Sequence, residues 1–337
     1  MDSLYEIIDK IVSSNDHAIL ATVIHVEGSA YRKEGATMLF TSDGKQIGVI
    51  SAGCLETDLA ILANERLKET TFSSCIVMYD MSAEDDLSWG RGAGCNGKVH
   101  MLLEKVTEKM RKEFHILRDH LEKGQDVISV RFLQNKRVSK IDYLVNEHEQ
   151  FGDQIQSITT IAPTILTDKT SRLEHIEELD GQIYIQYFQP KPRLFVFGAG
   201  VDVRPLAAFA VKVGFAVTVW DWRPNHCNQT DFPQVTILED RSISQLMNRL
   251  NFTHHDSVIM MTHDFQKDKE ILHHLLKETP LHYLGILGPR KRTSRLLDGK
   301  QIPTSLHSPV GLSIGAEGPV EIAISIVAEL IQMRRKS

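Results

Sequence analysis

The feature that most constrains this 337-residue chain is the run Arg193-Leu-Phe-Val-Phe-Gly-Ala-Gly200, with Asp221 standing 21 residues beyond Gly200 at the end of Ala216-Val-Thr-Val-Trp-Asp. An apolar strand, a glycine turn, a helical segment, a second strand and an acidic tip follow the order of a dinucleotide-binding unit. The glycines let the backbone approach a pyrophosphate, the helix start offers unpaired N–H groups, and the carboxylate takes ribose hydroxyls. Gly198, Gly200 and Asp221 are therefore candidate cofactor-binding residues. Asp221 favours NAD over NADP, a preference that Arg223 softens. Two residues depart from the pattern. Val203 replaces the third glycine of G-x-G-x-x-G, and Asp202 puts a negative charge at the helix start, where a pyrophosphate would want none.

The length is enough for about two domains, each with its own core. A net charge of −6 argues against nucleic acid as the main partner, because phosphate backbones call for a basic face. The first residues, Met1-Asp-Ser-Leu-Tyr-Glu, lack a basic and apolar leader, and no apolar run reaches the roughly 18 residues of a membrane span. The expectation is a cytoplasmic protein with no membrane partner. The four cysteines, Cys54, Cys75, Cys95 and Cys227, contain no C-x-x-C pair. That spacing suits neither structural zinc nor iron–sulfur ligation, so free thiols and no metal site are expected.

Strands at 194–197, 216–220, 257–261 and 282–287 alternate with helical patterns, which predicts a parallel sheet with helices on both faces. Gly318-Pro319 opens a last helix whose predicted apolar stripe is Val320, Ala323, Val327, Leu330 and Ile331. The fold class expected is α/β, with this Rossmann-like domain over 190–337 behind the prolines of Pro190-Lys-Pro192. A mixed α/β domain over 1–106 precedes it. There Thr37–Thr41 and Gln46–Ile50 flank a hairpin turn at Ser42-Asp-Gly-Lys45, and Leu55, Leu59, Leu62 and Leu67 fit a helical face. An intermediate α/β segment over 107–189 packs with that first domain, opening with a helix from Thr107 to Lys123 that Gly124 ends. Within that segment, short strands near 127–132 and 183–187 are the only others indicated.

Two glycine turns carry cysteine. Gly53-Cys54-Leu-Glu56 places a thiol at a helix start, where the helix dipole favours the thiolate. Gly90-Arg-Gly-Ala-Gly94-Cys95-Asn-Gly97 sets a second thiol in a loop whose N–H groups suit an anion or a polar heterocycle. For either cysteine a small buried hydrophobe is the plainer alternative. Thr262-His263-Asp264 lies just past a strand, at the ligand edge of an open parallel sheet. His263 is a candidate acid, base or hydrogen-bond partner there, with Asp264 equally suited to capping the next helix. Gly288-Pro-Arg290-Lys-Arg292 follows the next strand and offers positive charge at the same edge, or a solvated helix start.

Together these residues resemble the XdhC/CoxI family, accessory proteins of molybdenum hydroxylases such as xanthine dehydrogenase. The likeness rests on Gly48-Val-Ile-Ser-Ala-Gly-Cys-Leu-Glu56, Gly94-Cys-Asn-Gly97, Phe197-Gly-Ala-Gly200, Met261-Thr-His-Asp264 and Tyr283-Leu-Gly-Ile-Leu-Gly288. Its most specific part is Ser308-Pro-Val-Gly-Leu-Ser-Ile-Gly-Ala316 with Pro319-Val-Glu-Ile-Ala-Ile-Ser-Ile-Val-Ala-Glu329. The resemblance implies an accessory factor that binds the molybdenum cofactor (molybdopterin), protects it during sulfuration by a cysteine desulfurase and delivers it to the hydroxylase. It places Cys54 and Cys95 near the cofactor, with Gly53, Glu56, Gly94, Gly97, Gly288 and Arg290 among the binding residues. Non-turnover cofactor carriage is the leading expectation. An NAD(P)-dependent oxidoreductase with His263 as acid or base is the alternative, and a homodimer is left open. The family pattern usually has Gly-Gly-Cys and Cys-Gly-Gly, where this chain has Ala52 and Asn96, and many members carry Gly-Ala-Gly-His-Val-Gly, where it has Gly198-Ala-Gly-Val-Asp-Val203.

Overall fold

The structure, a computed structural model, describes residues 2–51, 53–81, 97–155, 158–176, 181–239, 242–278 and 281–336. The chain divides into two compact units, 1–190 and 191–337. No helix among the described residues is long and apolar enough to cross a membrane.

In the first unit the order is α1 (Asp2–Ser13), β1 (Ala18–Gly28), β2 (Thr37–Thr41), β3 (Gln46–Gly48), α2 (Glu56–Lys68), β4 (Ser74–Asp80), β5 (Gly97–Lys105) and α3 (Glu108–Glu122). Then come β6 (Val127–Gln134), β7 (Arg137–Leu144), β8 (Gln150–Gly152), α4 (Ile158–Thr167), β9 (Arg172–Ile176) and β10 (Gly181–Phe188). The strands form two antiparallel five-stranded sheets, β3-β2-β1-β5-β4 and β8-β7-β6-β10-β9. The β2–β3 hairpin turns at Gly44, whose φ of +84° is the left-handed conformation that glycine adopts without penalty. Thr107 caps α3 by accepting from the Met110 N–H, and Gly124 ends it at φ +79°. α2 lays Leu55, Leu59 and Ala63 on the first sheet, with Leu62 and Leu67 only partly covered. Arg131, fully buried on β6, pairs with Glu104 of β5 and donates to Ser129 and Gln186, a charge kept between the sheets by its partners.

The intermediate segment holds more structure than its sequence signals indicate: β7, β8, α4 and β9 all lie within it. The β6–β7 turn is Asn135-Lys136, both at positive φ, so a tight hairpin is made without glycine.

The second unit runs β11 (Arg193–Phe197), α5 (Val203–Lys212), β12 (Ala216–Trp220), β13 (Thr236–Leu238), α6 (Ile243–Arg249), β14 (Ser257–Met260), α7 (Phe265–Glu278), β15 (Tyr283–Ile286), α8 (Arg290–Leu296), β16 (Leu306–His307) and α9 (Gly318–Lys336). All six strands are parallel, in the order β13-β12-β11-β14-β15-β16. Alternation along β11 builds the two layers. Leu194 and Val196 face the α5–α9 side, and Phe195 and Phe197 face the side of α6, α7 and α8. This is the doubly wound Rossmann arrangement, and its strand order reverses between β11 and β14. Ligand edges form there.

The final helix corrects one expectation. Ala323, Ile326, Val327 and Leu330 form its buried face, whereas Val320 is 52% exposed. Glu317 to Glu321 are all exposed, so the first turn projects beyond the apolar layer.

Candidate functional site

The Gly53–Cys54 turn is fixed from within. Gly53 has φ +104°, and a Cβ placed on it would meet nothing within 4 Å. Among the described residues the space above it is open. Glu56, the first residue of α2, reaches back with its carboxylate. It accepts from the N–H groups of Ile50 (3.2 Å), Ser51 (2.6 Å) and Gly53 (3.1 Å) and from the Ser51 hydroxyl. Ser51 Oγ in turn accepts from the Leu55 N–H at 3.0 Å. Burial raises the Glu56 pKa, but these donors outweigh it and hold the carboxyl below its ordinary value. Cys54 is half-buried at the crest of this turn. Gly97 opens β5 where a Cβ would overlap the Glu27 carbonyl oxygen and press on the Ser29 backbone, so glycine there permits strand pairing. Gly94 and Cys95 lie outside the described residues.

The other two described thiols sit differently. Burial raises Cys75, and burial together with the Asp221 charge pushes Cys227 up to about 11. Both are kept protonated and poorly nucleophilic near neutral pH.

The glycine turn after β11 is tight. Gly198, at φ +122°, donates its N–H to the Trp220 carbonyl at 2.7 Å, and a Cβ on it would overlap the Met261 carbonyl oxygen. Gly200 is the position where the missing side chain normally admits a pyrophosphate. Here a Cβ on Gly200 would lie 2.5 Å from Asp202 Oδ1. The chain's own carboxylate fills that space. Asp202 Oδ2 is also 2.8 Å from His263 Nε2. His263 stands on the loop after β14 with φ +57°, a conformation non-glycine residues seldom adopt. The candidate acid or base thus faces a carboxylate of the helix start. Val203, in the place of the third glycine, is fully buried in the α5–α9 layer.

Asp221 is also engaged. Its side chain accepts from the Ala199 N–H (2.8 Å), from the Arg223 N–H (2.9 Å), and from Arg223 Nε and Nη2 (2.9 and 2.8 Å). Burial raises its pKa, while the Arg223 hydrogen bonds and the backbone donors lower it further, leaving it below the ordinary carboxylate value. Four donors leave little acceptor capacity for ribose hydroxyls. The residues present therefore fit a dinucleotide poorly, at the pyrophosphate and at the ribose alike.

Asp264 Oδ1 accepts from the Lys267 N–H at 2.9 Å and caps α7. Beside it, Met260, Met261, His263, Asp268, Leu287, Gly288 and Arg292 line a cleft of about 280 Å³ at the carboxyl ends of β14 and β15. Gly288, at φ +113°, leaves room for the Arg292 side chain, which a Cβ would press at 3.3 Å. Arg290, the candidate from sequence, is exposed and is not among the lining residues, and Arg292 is the arginine that lines the cleft. Asp268 is buried at 1% exposure. It takes the Thr262 hydroxyl at 2.6 Å on one oxygen and Arg292 Nη2 at 2.7 Å on the other.

Sequence reasoning gave Glu329 no role. Its carboxylate binds the Tyr283 hydroxyl, the Gly311 N–H (2.6 Å) and His307 Nδ1 (2.9 Å), while Ser325 Oγ donates to the Leu312 carbonyl at 2.6 Å. These bonds staple the loop of Ser308–Leu312 to α9. A carboxylate and a serine four residues apart on one helix face were the available signal.

Comparison with known proteins matches three family descriptions along the chain: the XdhC and CoxI family over residues 11–80, a BH1974-like central domain over 108–189 and the XdhC Rossmann domain over 194–330. The chain is 41% identical to a probable xanthine dehydrogenase subunit of Bacillus subtilis, covering 100% of this chain and 99% of that protein. It is 23% identical to the molybdenum cofactor insertion chaperone PaoD of Escherichia coli, over 95% of this chain and 85% of that one. A crystal structure from Bacillus halodurans, described as a xanthine dehydrogenase, superposes with a TM-score of 0.85 at 44% identity, covering 98% of this chain and 95% of that one. The class is that of proteins pairing an XdhC/CoxI-type domain with a Rossmann domain. This chain belongs to the XdhC and CoxI family.

Proposed function

We propose that this protein is an accessory factor that binds the molybdenum cofactor and assists its sulfuration and insertion into a xanthine dehydrogenase-type hydroxylase. The observation that carries the reading is the Gly53–Cys54 turn: a partly exposed thiol on an internally satisfied backbone, with the space over Gly53 open among the described residues. A carrier needs such a placement, because a fixed thiol can meet a cargo without the turn collapsing onto it. The likeness to the chaperone PaoD over most of both chains supports the same reading. So does the Bacillus subtilis relative, whose name ties it to xanthine dehydrogenase.

In this reading the cofactor is cargo and brings the metal chemistry. The chain's residues hold and shield it: Gly53 gives close approach, Glu56 fixes the turn, and Cys54 and Cys95 are its candidate thiol contacts. A cysteine desulfurase and the client hydroxylase are the partners implied. The alternative of an NAD(P)-dependent oxidoreductase is disfavoured by Asp202 over Gly200 and by the engaged carboxylate of Asp221.

The test is anaerobic purification from a cofactor-producing host, with molybdopterin quantified after oxidation to its fluorescent product. Retention by wild type is expected, with Cys54→Ala and Cys95→Ala each lowering activation of the hydroxylase. No retention by wild type overturns the proposal, and full activation by the double variant removes the cysteines from it.

A further inference from the structure

The Rossmann unit has rearranged its charges. At the glycine turn, where a phosphate normally meets bare N–H groups, Asp202 presents a carboxylate that lies over Gly200 and is held by His263. One strand over, in the β14–β15 cleft, Arg292 supplies a cation to the lining, with His263 on the same rim. The one acid of the lining, Asp268, has one oxygen on Thr262 and the other on Arg292. A buried carboxylate of this kind is a device for orienting a guanidinium, and it uses one of five N–H donors. The guanidinium has no other hydrogen bond among the described residues.

From this we propose that the β14–β15 cleft is an oxyanion site that takes a terminal phosphate on Arg292, while Asp202 keeps diphosphates off the glycine turn. Size argues for a head group rather than a dinucleotide. The cleft, about 280 Å³, falls just below the roughly 300–1,000 Å³ of pockets that hold drug-sized ligands. A planar fork fixed on one edge suits a phosphate monoester, which can take two parallel N–H bonds from the remaining donors. Gly288 belongs to the same device, since a side chain there would displace the Arg292 stem.

The experiment is a titration of the full chain with inorganic phosphate, phenyl phosphate, pyrophosphate and NAD, followed by ³¹P line broadening and calorimetry. Phosphate and phenyl phosphate are expected to bind, with NAD, whose two phosphates are both internal, at least about tenfold weaker. Arg292→Gln weakens phenyl phosphate about tenfold or more, as loss of a charge-assisted fork requires. Because that change leaves Asp268 unpaired and threatens the fold, Arg292→Lys is the second variant. It keeps a cation beside Asp268 and gives up the fork, and it weakens binding about fivefold. Asp202→Asn leaves phenyl phosphate affinity within about twofold and improves pyrophosphate. Unchanged affinity in both Arg292 variants overturns the site, and so does preferential binding of NAD by wild type. Molybdopterin retention in a protein that binds no phosphate monoester overturns this inference and leaves cofactor carriage standing. The reverse result overturns carriage alone.

Discussion

The glycine turns at Gly53 and Gly200 each lead into a helix with a carboxylate close behind, and they are used in opposite ways. After Gly53, the carboxylate of Glu56 folds back under the turn, takes three backbone N–H groups and leaves the space over the glycine open. After Gly200, the carboxylate of Asp202 lies over the glycine and fills that space, fastened to His263. A glycine makes room, and the next carboxylate decides who occupies it. The turn in the first unit is built to be approached, and the turn in the Rossmann unit approaches itself.

The largest effect that tests this contrast comes from the glycines. At Gly198 an alanine meets both a forbidden φ of +122° and the Met261 carbonyl oxygen, which is backbone and cannot swing away. Gly198→Ala should cost more than about 3 kcal/mol, enough to unfold the Rossmann unit. Gly53→Ala meets open space and carries only the left-handed backbone penalty, about 1–2 kcal/mol. Urea unfolding of both variants reads the difference, and equal losses would break the contrast.

Next come the engaged carboxylates. Asp221→Asn replaces an acceptor of four donors by an amide that must aim its own N–H groups at Ala199 and Arg223, at a cost of about 3 kcal/mol. Glu56→Ala strands the N–H groups of the buried Ile50 and Ser51 and of the exposed Gly53 and costs about 2 kcal/mol. Both acids have lowered pKa values in the folded chain. Their stabilisation is complete above the unfolded carboxylate value of about 4 and is lost as pH falls through the lower folded values. Denaturant midpoints from pH 6 down to 3 should therefore fall for wild type and fall less for Glu56→Gln or Asp221→Asn. A variant as acid-sensitive as wild type would remove its residue from that account.

Much of the Rossmann unit was legible because β11, β12, β14 and β15 are buried runs bounded by glycine or polar residues, and Asp264 caps α7 as its spacing suggests. The middle segment was not. β7 is an exposed strand along much of its length, its hairpin turns on Asn135-Lys136 rather than on glycine, and α4 contains Pro163. Each hides a signal that pattern reading depends on. The glycine turns at Gly53, Gly198 and Gly288 were legible in the sequence, but side-chain direction was not. Arg290 and Arg292 are two residues apart on a helix, about 200° around the axis, so choosing one over the other chooses opposite faces. Glu56 and Asp202 follow their glycines by three and two residues, and only the local backbone decides whether the carboxylate goes under the turn or over it.

The smallest expected effect on stability is the most informative for the comparison. The Asp202–His263 pair is exposed on its histidine side, 57%, so its loss should cost only about 0.2–1 kcal/mol. Asp202→Gly removes the occupant of the space at Gly200 and also a helix-start charge. If the Rossmann turn is closed by this one carboxylate, the variant should gain pyrophosphate or NAD affinity by about tenfold while its unfolding midpoint hardly moves. Calorimetric titration of wild type and variant checks it. An open turn that still rejects both ligands would place the exclusion elsewhere, at Val203 or at the Asp221–Arg223 pair, since those are the remaining departures of this turn from a dinucleotide site.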